Sequence, residues 1–160
     1  MSTITVRPMR ADEARLFLEL HARSVRGLAA GHYPAAVVDA WVNPLTDDSV
    51  RRFQENSGHE IRLIAELDGE PAGLGALAVE SAELPACYVV PEAARRGVGT
   101  AIVREIERLA REHGLERLEL VSSVNAEAFY ASLGYQSEGR TQHHLRGSQP
   151  MDAVKMAKRL

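Results

Sequence analysis

Cysteine occurs once, at Cys87, so no intrachain disulfide can form and a cysteine-based metal site is disfavoured. That usage fits a reducing compartment, and a cytoplasmic location is expected. No apolar run approaches the ~20 residues that a bilayer span requires. The opening residues, Met1-Ser2-Thr3-Ile4-Thr5-Val6-Arg7, alternate without the apolar centre of a secretion signal. Basic blocks are also missing. The net charge is −3, so nothing marks nucleic acid as a partner, and an anionic ligand has to be held by a local set of donors. There is no internal repeat, linker or low-complexity stretch. What remains is an ordinary folded make-up, 45% apolar and 26% charged, on a 160-residue chain long enough for one domain with its own core.

Residues Thr3 to Arg7 alternate as a strand closed by Pro8. Asp12 is a candidate cap for a helix running to about Leu28, with Phe17, His21, Val25 and Leu28 on one stripe. Pro34 suits the first turn of a short helix, Ala35 to Val42, stopped by Asn43-Pro44. Thr46-Asp47-Asp48 caps a third helix ending near Gly58. Ile61 to Leu67 and Pro71 to Val79 read as strands joined at Asp68-Gly69, a pair that tolerates the positive φ of a tight hairpin turn. Glu83 to Val90 is a further strand. Ile102, Val103, Ile106, Leu109 and Ala110 then fall at helical spacing, with Gly114 as the stop. Leu115 to Val121, a short helix from Asn125 to Leu133, and strands Tyr135 to Leu145 and Met151 to Lys158 complete the chain. The order predicts a mixed sheet covered by helices.

Between the Glu83 strand and the long helix lies Arg95-Arg96-Gly97-Val98-Gly99-Thr100. Glycine there lets the backbone approach a phosphate, and the first amides of a helix favour negative charge. A Walker loop needs Gly-Lys-Ser/Thr after its second glycine, but Thr100-Ala101 follows Gly99. A dinucleotide fingerprint needs a third glycine where Ile102 stands. The turn alone remains compatible with a purely structural role.

Its surroundings narrow the choice. The stretch from Glu83-Leu84-Pro85-Ala86-Cys87-Tyr88-Val89-Val90-Pro91-Glu92 to Gly99 resembles the signature of the GNAT superfamily of N-acetyltransferases. In that family a strand Leu-Tyr-Val-x-Pro-Glu leads into a pyrophosphate turn, Gln/Arg-x-x-Gly-x-Gly/Ala, that opens a long helix. A second block, Asn125 to Tyr135, resembles the family's Asn-x-x-x-x-x-Tyr-x-x-x-Gly-Phe/Tyr motif. The likeness covers nearly the whole chain. One position departs: Ala94 stands where the family turn starts with Gln or Arg, a contact that Arg95 or Arg96 can replace.

The resemblance implies an α/β (α+β) fold: one domain over residues 1–160, with a mixed, mostly antiparallel sheet of about seven strands and helices on both faces. It implies acetyl-CoA as co-substrate and a primary amine of a small molecule or peptide as acceptor, with no metal, nucleic acid or membrane involved, and it allows a homodimer. The coenzyme is expected along Tyr88, Val89 and Val90, in the turn Arg95, Arg96, Gly97, Val98, Gly99 and Thr100, and beside Asn125 and Tyr130. The strand around Cys87 to Val90 is expected to splay from its neighbour at a bulge, with an amide near Val89 polarising the acetyl carbonyl. Tyr130 is the candidate general acid, or else a packed core tyrosine. Glu83 is the candidate base, or else an ordinary acid at a strand end. Asn125 is expected to cap its helix. Cys87, with no histidine near it in sequence, reads as a packed residue rather than a nucleophile. His143 and His144, adjacent in a strand, make a poor metal pair.

On the acceptor side, Arg26, His32, Tyr33 and Trp41 are candidate contacts through their likeness to small bacterial family members. Packing of the second helix is the plainer reading for Tyr33 and Trp41, and Arg26 hints at an acceptor with a carboxylate or phosphate. The competing function is a catalytically inactive acyl-CoA sensor or interaction module on the same fold.

Overall fold

Seven strands and five helices are assembled in a computed structural model that describes residues 1–160. The strands are β1 (Ile4–Pro8), β2 (Ile61–Leu67), β3 (Glu70–Ala78), β4 (Glu83–Val89), β5 (Arg117–Ser123), β6 (Gln136–His144) and β7 (Pro150–Arg159). The helices are α1 (Ala14–Ser24), α2 (Ala35–Trp41), α3 (Asp47–Glu55), α4 (Val98–Glu112) and α5 (Glu127–Ser132). The sheet order is β1-β2-β3-β4-β5-β7-β6, antiparallel except for the central pair β4 and β5. The element order predicts a mixed sheet, and the resemblance implies a mostly antiparallel one of about seven strands; the sheet is both. No helix is long and apolar enough to cross a membrane.

Turn chemistry behaves as the residue types require. Asp68 and Gly69 both take positive φ, 51° and 84°, in the β2–β3 turn. Gly114 and Gly134 end α4 and α5 at φ 79° and 99°. Thr46 accepts the amide of Ser49 at 3.1 Å and caps α3, which stops at left-handed Asn56, two residues before Gly58.

The first helix departs most from expectation. Asp12 does not cap it. Glu13 does the equivalent work, accepting the Arg10 amide at 2.8 Å while a 3₁₀ turn, Ala11–Glu13, leads into α1. At the other end the α-helix gives way to a π-helical segment, Val25–Ala29. Ser24 is buried there, and its hydroxyl donates to the Leu20 carbonyl at 2.7 Å, a back-bond that bends helices. Gly27 packs so closely on Pro91 that a Cβ would collide with it.

Two glycines in β3 set the helix–sheet distance on the opposite face. A Cβ on Gly75 would lie 2.5 Å from Ile102 Cγ2, and one on Gly73 would lie 3.0 Å from Ile102 Cδ1. Bare backbone therefore lets α4 sink Ile102 and Ile106, both fully buried, onto the sheet. Glu107, 1% exposed, is neutralised there by Lys158 at 2.8 Å and Arg104 at 2.9 Å and accepts the Tyr135 hydroxyl at 3.0 Å. These partners hold its carboxyl below the ordinary carboxylate range despite the opposing effect of burial. A smaller apolar cluster, including Val25, Tyr33, Val38 and Met151, forms under α2 on the α1 side.

The Glu13 carboxylate is gripped through both oxygens by Arg7, at 2.8 Å each, which lowers its pKa from 4.5 to about 2. A depressed folded-state value stabilises the fold above the unfolded pKa, and that contribution is lost as pH falls through about 2. Glu13→Gln should therefore lower the thermal midpoint clearly at pH 7 and progressively less between pH 4.5 and 2. Parallel wild-type and variant curves down to pH 2 would show that the ion pair carries no such stability.

Candidate active site

The functional geometry begins with a failure of pairing. β4 and β5 share one registered pair, Glu83 with Glu119, and then part. Opposite β3, Ala76 pairs with Ala86 and Ala78 with Glu83, so Leu84 and Pro85 together face Leu77 across a bulge. Pro85 has no N–H to give a neighbour, which suits it to that position. The bulge turns β4 away from β5 and opens a gap in the middle of the sheet.

Register then assigns the faces of this gap, because paired residues point to the same side of a sheet. Cys87 and Val89 pair with Gly75 and Gly73 and so face α4. Tyr88 pairs with Leu74 and faces α1, where its ring meets His21 edge-on at 4.6 Å. Glu83 pairs with Ala78 and Glu119, on the α1 side as well. The amide of Val90 bonds the Ala72 carbonyl of β3 at 2.9 Å. By alternation Tyr88 also points its amide at β3, and Val89 and Cys87 point theirs into the gap.

A cavity of about 900 Å³ runs through this opening. On the α4 side it is lined by Cys87, Val89, Arg95, Gly97, Gly99, Thr100, Asn125, Phe129 and Tyr130. On the α1 side it is lined by His21, Val25, Leu28, His32, Trp41 and Tyr88 with the β6–β7 segment His143 to Arg146. The mouths are chemically different.

At the α4 mouth Arg95 and Gly97 take positive φ, 61° and 89°. The amides from Arg95 to Thr100 have no intramolecular acceptor, since the first helical bond is Ala101 to Gly97. Six consecutive unused donors at a helix start make a nest for an anion. Arg96 turns outward to the Ser2 hydroxyl at 2.8 Å, which leaves Arg95 as the turn's cation on the cavity wall. Val90 and Val98 are buried outside the lining; the Val90 amide is spent on Ala72, and Val98 has only its unused amide to offer a ligand.

Tyr130 is 6% exposed, between Phe129 and Tyr135. Burial raises its phenol well above 10, so the proton stays on at neutral pH. Its hydroxyl neighbours the Cys87 thiol, which burial pushes up to about 12. Cys87 is thus a neutral thiol, not a thiolate nucleophile. Asn125 does not cap α5, whose N-cap is Ala126. Instead Asn125 Oδ1 is buried on the cavity wall without a hydrogen-bond partner.

The acceptor-side candidates divide. His32 and Trp41 line the cavity, and Trp41 Nε1 donates to the Tyr88 hydroxyl at 3.1 Å. Arg26 lies outside the lining, paired with Asp39 at 3.2 Å. Tyr33 is also outside it. Its hydroxyl donates to the Asp152 carbonyl at 2.6 Å and accepts the Val124 amide at 2.8 Å, pinning the ends of β5 and β7 to the segment just before α2. Two further wall residues, His21 and Arg146, carry no local sequence signal: His21 sits within an apolar helical stripe and Arg146 in a short turn.

Comparison with known proteins places this geometry. The sequence profile of the acetyltransferase (GNAT) family matches residues 32–135. This chain belongs to the GNAT family. A GCN5-related N-acetyltransferase from Rhodopseudomonas palustris superposes with a TM-score of 0.90 at 29% identity, over 100% of this chain and 98% of that one. The PaiA N-acetyltransferase of Thermoplasma acidophilum, solved in complex with coenzyme A, gives 0.74 at 20% identity over 99% of each chain. An uncharacterized N-acetyltransferase of Methanocaldococcus jannaschii is 25% identical over 150 residues, 86% of this chain, and the chain spans 63% of that protein's length.

Tyr33→Phe should cost about 1–3 kcal/mol of stability, the penalty for stranding a buried amide and carbonyl. Chemical denaturation measures it. A loss below about 0.5 kcal/mol would mean that water replaces the hydroxyl and that Tyr33 is not a structural tie.

Proposed function

We propose that this GNAT-family chain is an acetyl-CoA-dependent N-acetyltransferase that acetylates a primary amine by direct attack while both substrates are bound. One observation carries the reading: β4 parts from β5 beside six unused amides, leaving backbone donors in the gap for an extended, phosphate-bearing ligand.

The residues fit acetyl-CoA. The pyrophosphate would lie on the amides from Arg95 to Thr100, with Arg95 as counter-charge. The pantetheine arm would lie along β4, where Asn125 Oδ1 is an unused acceptor for one of its amide N–H groups. Gly99 leaves room for it, since a Cβ there would reach within 3.0 Å of Phe129 and 3.6 Å of Val89. When bound, acetyl-CoA supplies an acetyl group activated as a thioester. The PaiA relative solved with coenzyme A supports the choice of ligand.

The chain's own groups then divide the chemistry. The Val89 amide, directed into the gap, can polarise the acetyl carbonyl. Glu83, on the acceptor face, receives the amine's proton, through water if the two do not touch, as the C–N bond forms. The C–S bond breaks, and Tyr130 donates its phenolic proton to the sulfur, to be reprotonated from solvent. The base and the acid lie on opposite faces of the sheet, so the two proton transfers do not compete for one group.

Release of free thiol from acetyl-CoA across a panel of amines tests the activity directly. No release with any amine, although acetyl-CoA binds, would leave only coenzyme binding. Gly99→Leu should weaken acetyl-CoA binding by about tenfold or more while the protein stays folded, because the side chain fills the space between Val89 and Phe129. Undiminished affinity by calorimetry would move the pantetheine elsewhere. Tyr130→Phe should lower kcat by about 10²-fold with coenzyme affinity little changed, as expected of a proton donor acting in the transition state. Equal turnover at neutral pH would assign Tyr130 to packing alone.

A further inference from the structure

The acceptor mouth has a distinctive charge inventory. Glu83 is the one carboxylate among the residues lining the cavity, and the two guanidinium groups are Arg95 and Arg146. Arg95 belongs to the anion nest at the α4 mouth. Arg146 is therefore the guanidinium of the acceptor side, in a wall that also carries the imidazoles of His32, His143 and His144. It stands in the turn between β6 and β7, oriented by bonds from Nη2 to the carbonyls of Asp39 at 2.6 Å and Val42 at 3.2 Å. These carbonyls hold the side chain in place without cancelling its charge. Arg26, by contrast, is occupied by the Asp39 carboxylate.

Apolar surface accompanies that cation. The molecule exposes four large apolar side chains, Met1, Leu28, Leu45 and Val121, and two of them, Leu28 and Val121, line this cavity. Val121 follows buried Leu120 in β5 and faces the α1 side, where no helix covers it. His21 adds an uncharged imidazole. Burial pushes its imidazole down to about 4, and Nδ1 is shut away without a partner on the cavity wall.

Resting on the transferase reading above, we infer that the acceptor is a primary amine carrying a carboxylate and an apolar body, the chemistry of a hydrophobic amino acid. Its carboxylate pairs with Arg146, its body covers Leu28 and Val121, and its amine is directed to Glu83. A polyamine fits poorly, because the mouth offers its second ammonium no further carboxylate and sets a guanidinium there instead. A phosphate monoester is less suited than a carboxylate, since a single guanidinium leaves part of its charge uncompensated.

The test compares matched acceptors at saturating acetyl-CoA: L-leucine and L-phenylalanine, their amides, an apolar aminoalkyl phosphonate, and spermidine. The carboxylated amines should exceed their amides in kcat/KM by about tenfold or more, the scale of a charge-assisted hydrogen bond to one guanidinium. Arg146→Gln removes the charge, its amide stopping two bonds short of the Nη2 position that reaches the Asp39 and Val42 carbonyls. It should collapse that ratio towards one, with an unchanged circular-dichroism spectrum. Calorimetry on the coenzyme A-saturated protein supplies a readout that needs no turnover: N-acetyl-L-phenylalanine should bind, its amide should bind at least about tenfold more weakly, and Arg146→Gln should erase the difference. Acetylation that favours the amides, the phosphonate or spermidine would overturn the inference while the transferase reading stands. Carboxylate-dependent binding without thiol release from any amine would uphold the anion seat and defeat the transferase reading. Absence of both carboxylate-dependent turnover and carboxylate-dependent binding would also overturn the inference.

Discussion

The parting of β4 from β5 is the constraint around which the rest of the molecule is organised. A sheet gains stability by pairing every internal strand on both flanks, and here the central pair gives that up after one registered position. The loss has to be contained by the elements around it. The antiparallel ladders β1-β2-β3-β4 and β5-β7-β6 remain whole on either side, so two sub-sheets meet at a single hinge point near Glu83 and Glu119.

What keeps the two halves from drifting apart is packing across the gap on both faces. On one face α4 lies close to β3 because Gly73 and Gly75 offer no side chains, and its far end is tied to β7 through Glu107 and Lys158. On the other face the Tyr33 hydroxyl ties the segment before α2 to β7 and to the end of β5, and Trp41 of α2 bonds Tyr88 of β4. Each helix layer therefore bridges the two sub-sheets. The stability of these bridges and the shape of the cavity are the same property.

Much of this was legible in the sequence where the signal is local. The Asp68-Gly69 turn, the glycine stops of α4 and α5, and the strand-to-helix turn at Gly97 each depend on a few adjacent residues, and the structure follows them. The gap between β4 and β5 was legible only through resemblance to a family, with Pro85 as its one local trace. The α1-side wall of the cavity was not legible in this way. Tyr33 is spent on Asp152, 119 residues away, and Arg146 is oriented by carbonyls more than 100 residues before it. Which of Arg26 and Arg146 reaches the cavity depends on how α2 meets the β6–β7 turn, and no spacing rule encodes that. Asn125 shows the same limit. Its residue type suits a helix cap, but the helix starts one position later and its carbonyl oxygen is left facing the cavity.

The bulge and Pro85, which has no N–H, hold β4 away from β5 without any ligand in the gap. The groove is pre-organised, and little of the ligand's interaction energy goes into reshaping the protein. Association should then follow encounter alone, with a rate linear in ligand concentration and no slow unimolecular phase before it. Discrimination among extended ligands is correspondingly left to the two ends of the passage, where the amide nest and the α1-side mouth differ, because the backbone between them pairs with any chain of suitably spaced amides.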